Sequence, residues 1–179
     1  MINPNGNNMK NIKNISMAVA LVAFNSFFAQ VAIGKQSVDG ISTVLDFDNG
    51  SGNTRGLILP ATSGFPTGSI ANGTFIFDVT DKKVKVYENN TWKSLSDTGS
   101  SGAVAVNNSA ESGKGVIIGS DESSADGVLV LESRNKAMVL PKIATPHIIV
   151  KNPYPGMMCY DTASKTLAVF DGSVWNYWK

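Results

Sequence analysis

The sequence predicts an all-β protein: two small β-meander modules in tandem, joined by a Gly/Ser/Asn-rich linker and preceded by a cleaved N-terminal signal helix. Three observations carry this prediction. One block of residues occurs twice. Short β-branched and aromatic runs alternate with turn residues inside each block. No stretch after residue 30 has helical periodicity. The bounds that follow are 1–30 for an upstream extension and signal peptide, 31–97 for module 1, 98–115 for the linker and 116–179 for module 2.

The first segment reads as an export signal. Lys10 and Lys13 form a short positive start, and Ile15 to Phe28 reads ISMAVALVAFNSFF, ending in Ala29-Gln30. Positive start, apolar run and small residue are the parts of a secretory signal peptide. The run falls short of the roughly 20 apolar residues that span a bilayer. Met9 is the more natural start, with MINPNGNN before it as an extension, and cleavage is expected after Ala29 or Gln30. The mature chain is then expected to be secreted or held on the outer cell surface, with no membrane span.

The repeat comes next. Ile33-Gly34-Lys35 matches Ile118-Gly119-Ser120, and Gly56-Leu57-Ile58-Leu59-Pro60 matches Ala137-Met138-Val139-Leu140-Pro141. Asn72 to Asp78 matches Pro155 to Asp161, Val84 to Glu88 matches Leu167 to Asp171, and Trp92 matches Trp175. From Gly73 to Trp92 the offset stays at 83 residues without a gap. Repetition at this length marks two copies of one structural unit. Between them TGSSGAVAVNNSAESGKG has little to bury beyond Val104 and Val106, and reads as a linker or an extended connector.

Within each module the strand signals agree. Thr74–Val79, Lys83–Tyr87 and Trp92–Leu95 form one predicted meander; Met157–Tyr160, Thr166–Phe170 and Val174–Trp178 form the other. The Asp171-Gly172 pair between apolar runs signals a tight hairpin, because primed turns need positive φ. Leu57–Leu59 and Val139–Leu140 are shorter predicted strands, stopped by Pro60 and Pro141. A module of this size buries a marginal core. With Cys159 the only cysteine, no disulfide within the chain can help it. Packing between modules, or assembly of several chains, is therefore expected.

The order I-G, G-L-x-L-P, P-G-x-x-x-Y-D, L-x-V-F-D-G-x-x-W resembles a module of short secreted Bacteroidetes proteins and segments of phage tail-fibre proteins. The resemblance covers nearly all of the mature chain, once per module. Module 1 departs from it, with Asn72 where Pro is usual and Glu88-Asn89 in place of Asp-Gly. The resemblance implies a β-rich extracellular fibre-like protein, often trimeric, and implies no activity.

The candidate chemistry is thin. Net charge is +1 for the whole chain. Loss of Lys10 and Lys13 leaves 13 basic against 14 acidic residues, or −1. Neither value makes a footprint for nucleic acid. His147 is the single histidine and reads as a loop residue, since a zinc site needs several soft or borderline donors. Cys159 occupies an apolar strand position and reads as a small buried hydrophobe. Asp46-Phe47-Asp48-Asn49-Gly50 reads as an acidic turn, because it lacks the later bidentate Glu of a calcium loop. Asp78 and Asp161 end equivalent strands and read as turn openers that bond their own backbone.

Trp92 and Trp175 recur at one position and are expected in the core or capping a module. Tyr177 and Trp178 are adjacent on a strand and so face opposite sides, which makes the C-terminus the expected ligand or partner contact. The functional expectation is a structural or adhesive fibre-like surface protein, a homo-oligomer and by resemblance a trimer, acting without catalysis and without cofactor or metal. Its partner is a surface glycan or protein. The alternatives are a secreted glycan-binding module using exposed C-terminal aromatics and, further back, a secreted hydrolase using scattered carboxylates.

Overall fold

The computed structural model describes residues 30–105, 107, 109 and 115–179. The signal segment and the upstream extension, residues 1–29, lie outside the described residues, as do Val106, Asn108 and 110–114 of the linker. The described chain is almost wholly strand and turn, as the repeated β-branched runs predict.

Module 1 runs β1 (Val31–Ile33), β2 (Thr43–Phe47), β3 (Leu57–Ile58), β4 (Ala61–Thr62), β5 (Phe75–Asp78), β6 (Lys83–Glu88) and β7 (Thr91–Ser94). Module 2 repeats the order as β8 (Val116–Ile118), β9 (Leu129–Leu131), β10 (Ala137–Met138), β11 (Lys142–Ile143), a single helical turn α1 (Pro146–Ile149), β12 (Met157–Asp161), β13 (Thr166–Phe170) and β14 (Trp175–Trp178). The meanders β5-β6-β7 and β12-β13-β14 are antiparallel in the same register: Tyr87 opposes Trp92 and Phe170 opposes Trp175. Asn89 and Asn90 both adopt positive φ, at 50° and 60°. Asn tolerates that region, so the pair makes a two-residue hairpin turn without glycine.

The two Pro residues mark where the chain changes partner. Before Pro60, β3 pairs antiparallel with β12 of the other module; after it, β4 pairs parallel with β5 of its own. Before Pro141, β10 pairs parallel with β2 of the other module; after it, β11 pairs with β12. A proline cannot donate to a ladder, so it suits the crossing point between two sheets. The expected strand Val139–Leu140 begins earlier, at Ala137–Met138, and Val139 N–H still bonds Leu45 O before the chain crosses at Pro141.

The core is shared. Phe77 and Val84 of module 1 pack with Met158 and Val169 of module 2 and with Leu59. Neither meander buries this surface alone, and the exchange of β3 and β10 holds the two together. A second cluster, Ile143, Met157, Cys159, Ala168 and Phe170, lies on the far face of module 2 under Ile149 and Val150. That cover is α1, in place of the loop expected around His147. Pro146 stands at the start of the turn, and Ile148 N–H bonds back to Thr145 O. One turn is too short to leave a 3.6-residue pattern in the sequence.

The connecting segment begins inside the fold. Gly99 N–H donates to Lys82 O, Ser100 N–H to Asp171 O, and Ala105 N–H to the Tyr154 hydroxyl. A Cβ on Gly99 would sit 2.1 Å from Asp171 O, so no larger residue fits there.

Candidate assembly interface

Repeat-equivalent positions locate the surfaces left open. Asp48 N–H bonds Ile33 O, and Glu132 N–H bonds Ile118 O, so β1-β2 and β8-β9 are equivalent parallel pairs. Val44 corresponds to Val128, and Leu45 to Leu129. Val44 is 2% exposed and Leu45 fully buried, whereas Val128 is 63% exposed and Leu129 42%. The cause is one strand. β10 covers the outer edge of β2, with Ala137 N–H donating to Ser42 O and Val139 N–H to Leu45 O. β9 pairs only with β8 among the described residues. Burying one Val or Leu side chain stabilises by roughly 1.5–3 kcal/mol. A bare β9 edge forgoes that at two positions, and its unpaired backbone groups offer a template for another strand.

The opposite imbalance holds at the other end. Gly156 and Pro141 of module 2 are buried, and their equivalents Gly73 and Pro60 are exposed. Both glycines have positive φ, at 89° and 82°. A Cβ on Gly156 would lie 2.9 Å from Phe77 Cβ, while one on Gly73 would meet nothing within 4 Å. Module 2 is closed where module 1 is open, and the reverse.

The recurring Asp residues are held in contrasting ways. Asp78 Oδ1 accepts from Thr80 and Asp81 N–H, and its Oδ2 takes Lys85 Nζ at 2.8 Å in a buried ion pair; Asp81 also contacts Lys85. Asp161 Oδ1 accepts from Ala163 and Thr145 N–H, and Oδ2 from the Ser164 hydroxyl. Module 2 has Ala168 where Lys85 stands, and Ser164 where Asp81 stands. Burial alone would push both carboxyls up; Lys85 and two N–H donors hold Asp78 below the ordinary range, and Ser164 with the local N–H donors does so for Asp161. These bonds occupy the carboxylate oxygens locally.

Asp46, the first residue of the expected acidic turn, is instead buried on β2. Its Oδ2 takes Lys35 Nζ and Asp39 N–H, both at 2.7 Å. Burial opposes its charge, but Lys35 and those bonds hold the carboxyl below the ordinary range. Asp48 caps Gly50 N–H. The described residues contain no group of three or more His, Cys, Asp or Glu side chains able to hold a metal. Cys159 is fully buried, and burial, with the Asp161 charge, pushes its thiol up to about 12.

Trp92 stacks on Phe65, with ring centroids 5.3 Å apart, and meets Tyr87 edge-on; Trp175 tilts against Phe170 at 5.5 Å. Both tryptophans are half-buried and cover the outer face of their meander. Tyr177 and Trp178 are exposed and point to opposite sides. Trp178 Nε1–H donates to Leu95 O, tying β14 to the end of module 1. The Tyr177 hydroxyl lies 2.8 Å from His147 Nδ1, and together with Trp175, Val150 and Pro153 they line a shallow cleft. His147, expected as a loop residue, meets Tyr177 in this cleft, and no local pattern links residues 30 apart across a fold.

Residues 117–179 match the model of the phage tail like trimerisation region. The match lies within module 2 and supports a tail-fibre-like module there. Neither the curated proteins nor the solved structures give a match to the chain. No helix among the described residues is long and apolar enough to cross a membrane.

Proposed function

We propose that this chain is a secreted or outer-surface structural protein that assembles into a fibre-like homotrimer and acts by adhesion, without catalysis. One observation carries the reading: module 2, the part similar to a trimerisation region, leaves apolar Val128 and Leu129 uncovered where module 1 buries the same positions. An open, apolar, unpaired edge favours association. Export rests on the Lys10–Gln30 segment, and kinship with short secreted Bacteroidetes proteins rests on the repeated motif. Size-exclusion chromatography with light scattering tests assembly. Three times the chain mass is expected, and a clean monomer would remove the reading.

A second reading, glycan binding at the C-terminus, is favoured by the exposed Tyr177 beside Trp175 and His147 in the shallow cleft. Aromatic faces flanked by polar groups suit sugar rings. A glycan array with Tyr177→Ala and Trp178→Ala as controls tests it. Binding to no glycan would leave it without support.

A further inference from the structure

The two open ends of this chain are complementary, and the repeat shows how they fit. Inside the chain, module 1 meets module 2 through two pairings, β2 with β10 and β3 with β12. Advancing each partner by one repeat turns these into β9 with a β3 strand and β10 with a β5 strand. Both new pairings join module 2 of one chain to module 1 of another. Among the described residues the required edges are bare: β9 carries no strand beyond β8, and beside β5 the strand β4 pairs only with Phe77 and Asp78.

Strand alternation decides whether the donors point the right way. Leu59 N–H donates to Gly156 O across the β3-β12 pair. Leu57 therefore faces β12 as well, and the N–H groups of Gly56 and Ile58 turn outward. Those residues are the repeat equivalents of Ala137 and Val139, whose N–H groups join β10 to β2. By the same alternation Met138 and Leu140 turn away from β2, and their equivalents Leu57 and Leu59 are the ones that face β12. Each strand presents, on its unused side, the set of groups its counterpart uses on the occupied side. Exposure agrees, since Gly73 on the β5 side and Val128 on the β9 side both lie open.

We propose that copies of this chain join head to tail by strand pairing, with β9 and β10 of one copy docking on β3 and β5 of the next. The proposal rests on the assembly reading above and adds which edges meet. The interface is heterologous: each copy contributes two different surfaces, so the contact closes into a ring or runs on as a filament.

The test uses two variants in a Cys159→Ser background, Ile58→Cys and Leu129→Cys, each exposed and so harmless to the fold of one copy. One carries a mass tag, the two are co-expressed, and a short bismaleimide is added. Cross-links between the two variants are expected, with none when either is expressed alone. Cross-links within one variant alone would overturn the proposal, because they report an interface of like surfaces. A trimeric mass with no mixed cross-link would overturn the strand pairing and leave assembly standing. A monomeric mass would overturn both.

Discussion

Val44 and Val128 occupy one position in two copies of one module. The first is sealed under β10 and the second lies in water. The residues are identical and the strands around them pair alike, so the difference lies in what arrives from elsewhere. A β-module of this kind does not finish itself: the β2 edge of module 1 is completed by β10 of module 2, and among the described residues no strand does the same for β9. Substitution at the paired positions separates the two cases. Val44→Asp puts an unpaired carboxylate under β10, costs more than about 4 kcal/mol, and leaves little folded protein by circular dichroism. Val128→Asp changes the melting of an isolated chain by no more than about 0.5 kcal/mol. Equal damage at both sites would mean that β9 is covered in the free chain and would break the comparison.

The next largest contrast is between Phe77 and Tyr160, again one position in two copies. Phe77 is fully buried against Gly156 and the shared core, whereas Tyr160 is 36% exposed. Phe77→Ala is expected to cost about 3–5 kcal/mol in chemical denaturation, since it opens a cavity between the modules. Tyr160→Ala is expected to cost about 1 kcal/mol or less. Because Phe77 joins both modules, its loss lowers one cooperative transition. Two separated transitions would show that the modules fold independently.

Much of this architecture is legible in the sequence, and the reason is periodicity. Strand runs such as Thr166–Phe170 are local patterns, and the 83-residue offset exposes the shared meander. The turn after Phe170 is centred one residue later than the Asp171-Gly172 pair predicts, on Gly172-Ser173, because Asp171 N–H bonds Val174 O and its carboxylate takes the Ser173 and Val174 N–H groups. The exchange of β3 and β10 is not legible. A repeat shows that Gly56–Pro60 and Ala137–Pro141 are equivalent, but each strand is only two residues long, and its partner lies in the other copy. The meeting of His147 with Tyr177 is hidden for the same reason. The buried pair of Asp78 and Lys85 is half legible: the Asp recurs, but Ala168 stands in module 2 where Lys85 stands in module 1, so repetition points away from it.

That divergence gives a further test. Lys85→Ala leaves Asp78 buried without its cation and is expected to cost about 3 kcal/mol. Adding Asp81→Ser installs the residues module 2 uses around Asp161 and is expected to recover part of the loss. No recovery would mean that Thr145 N–H, which has no partner-equivalent at Asp78, carries the module 2 arrangement. The pH dependence follows from the same groups. Asp46, Asp78 and Asp161 all have carboxyls held below the ordinary 3.8 when folded. Their stabilisation is present above that value and is lost as pH falls through the lowered folded values. Stability should stay level from neutral pH down to about pH 5 and decline below it. A chain carrying Lys85→Ala should decline less, because Asp78 then contributes little.

The smallest effect belongs to the contact found in module 2 alone. Ser94 stands where Tyr177 stands in the repeat, so module 1 has no phenol to meet a histidine. The Tyr177 hydroxyl bonds His147 Nδ1 at 2.8 Å while both groups remain open to water. Water replaces a lost partner there, so Tyr177→Phe is expected to cost only about 0.5 kcal/mol, the low end for a net hydrogen bond. The two rings also meet edge-on, with centroids 6.1 Å apart at 87°. A double-mutant cycle of Tyr177→Phe with His147→Ala separates bond from packing. A coupling of about 0.5 kcal/mol assigns the contact to the hydroxyl. Coupling near zero would assign it to ring packing, and the cleft would then keep its shape without the phenol.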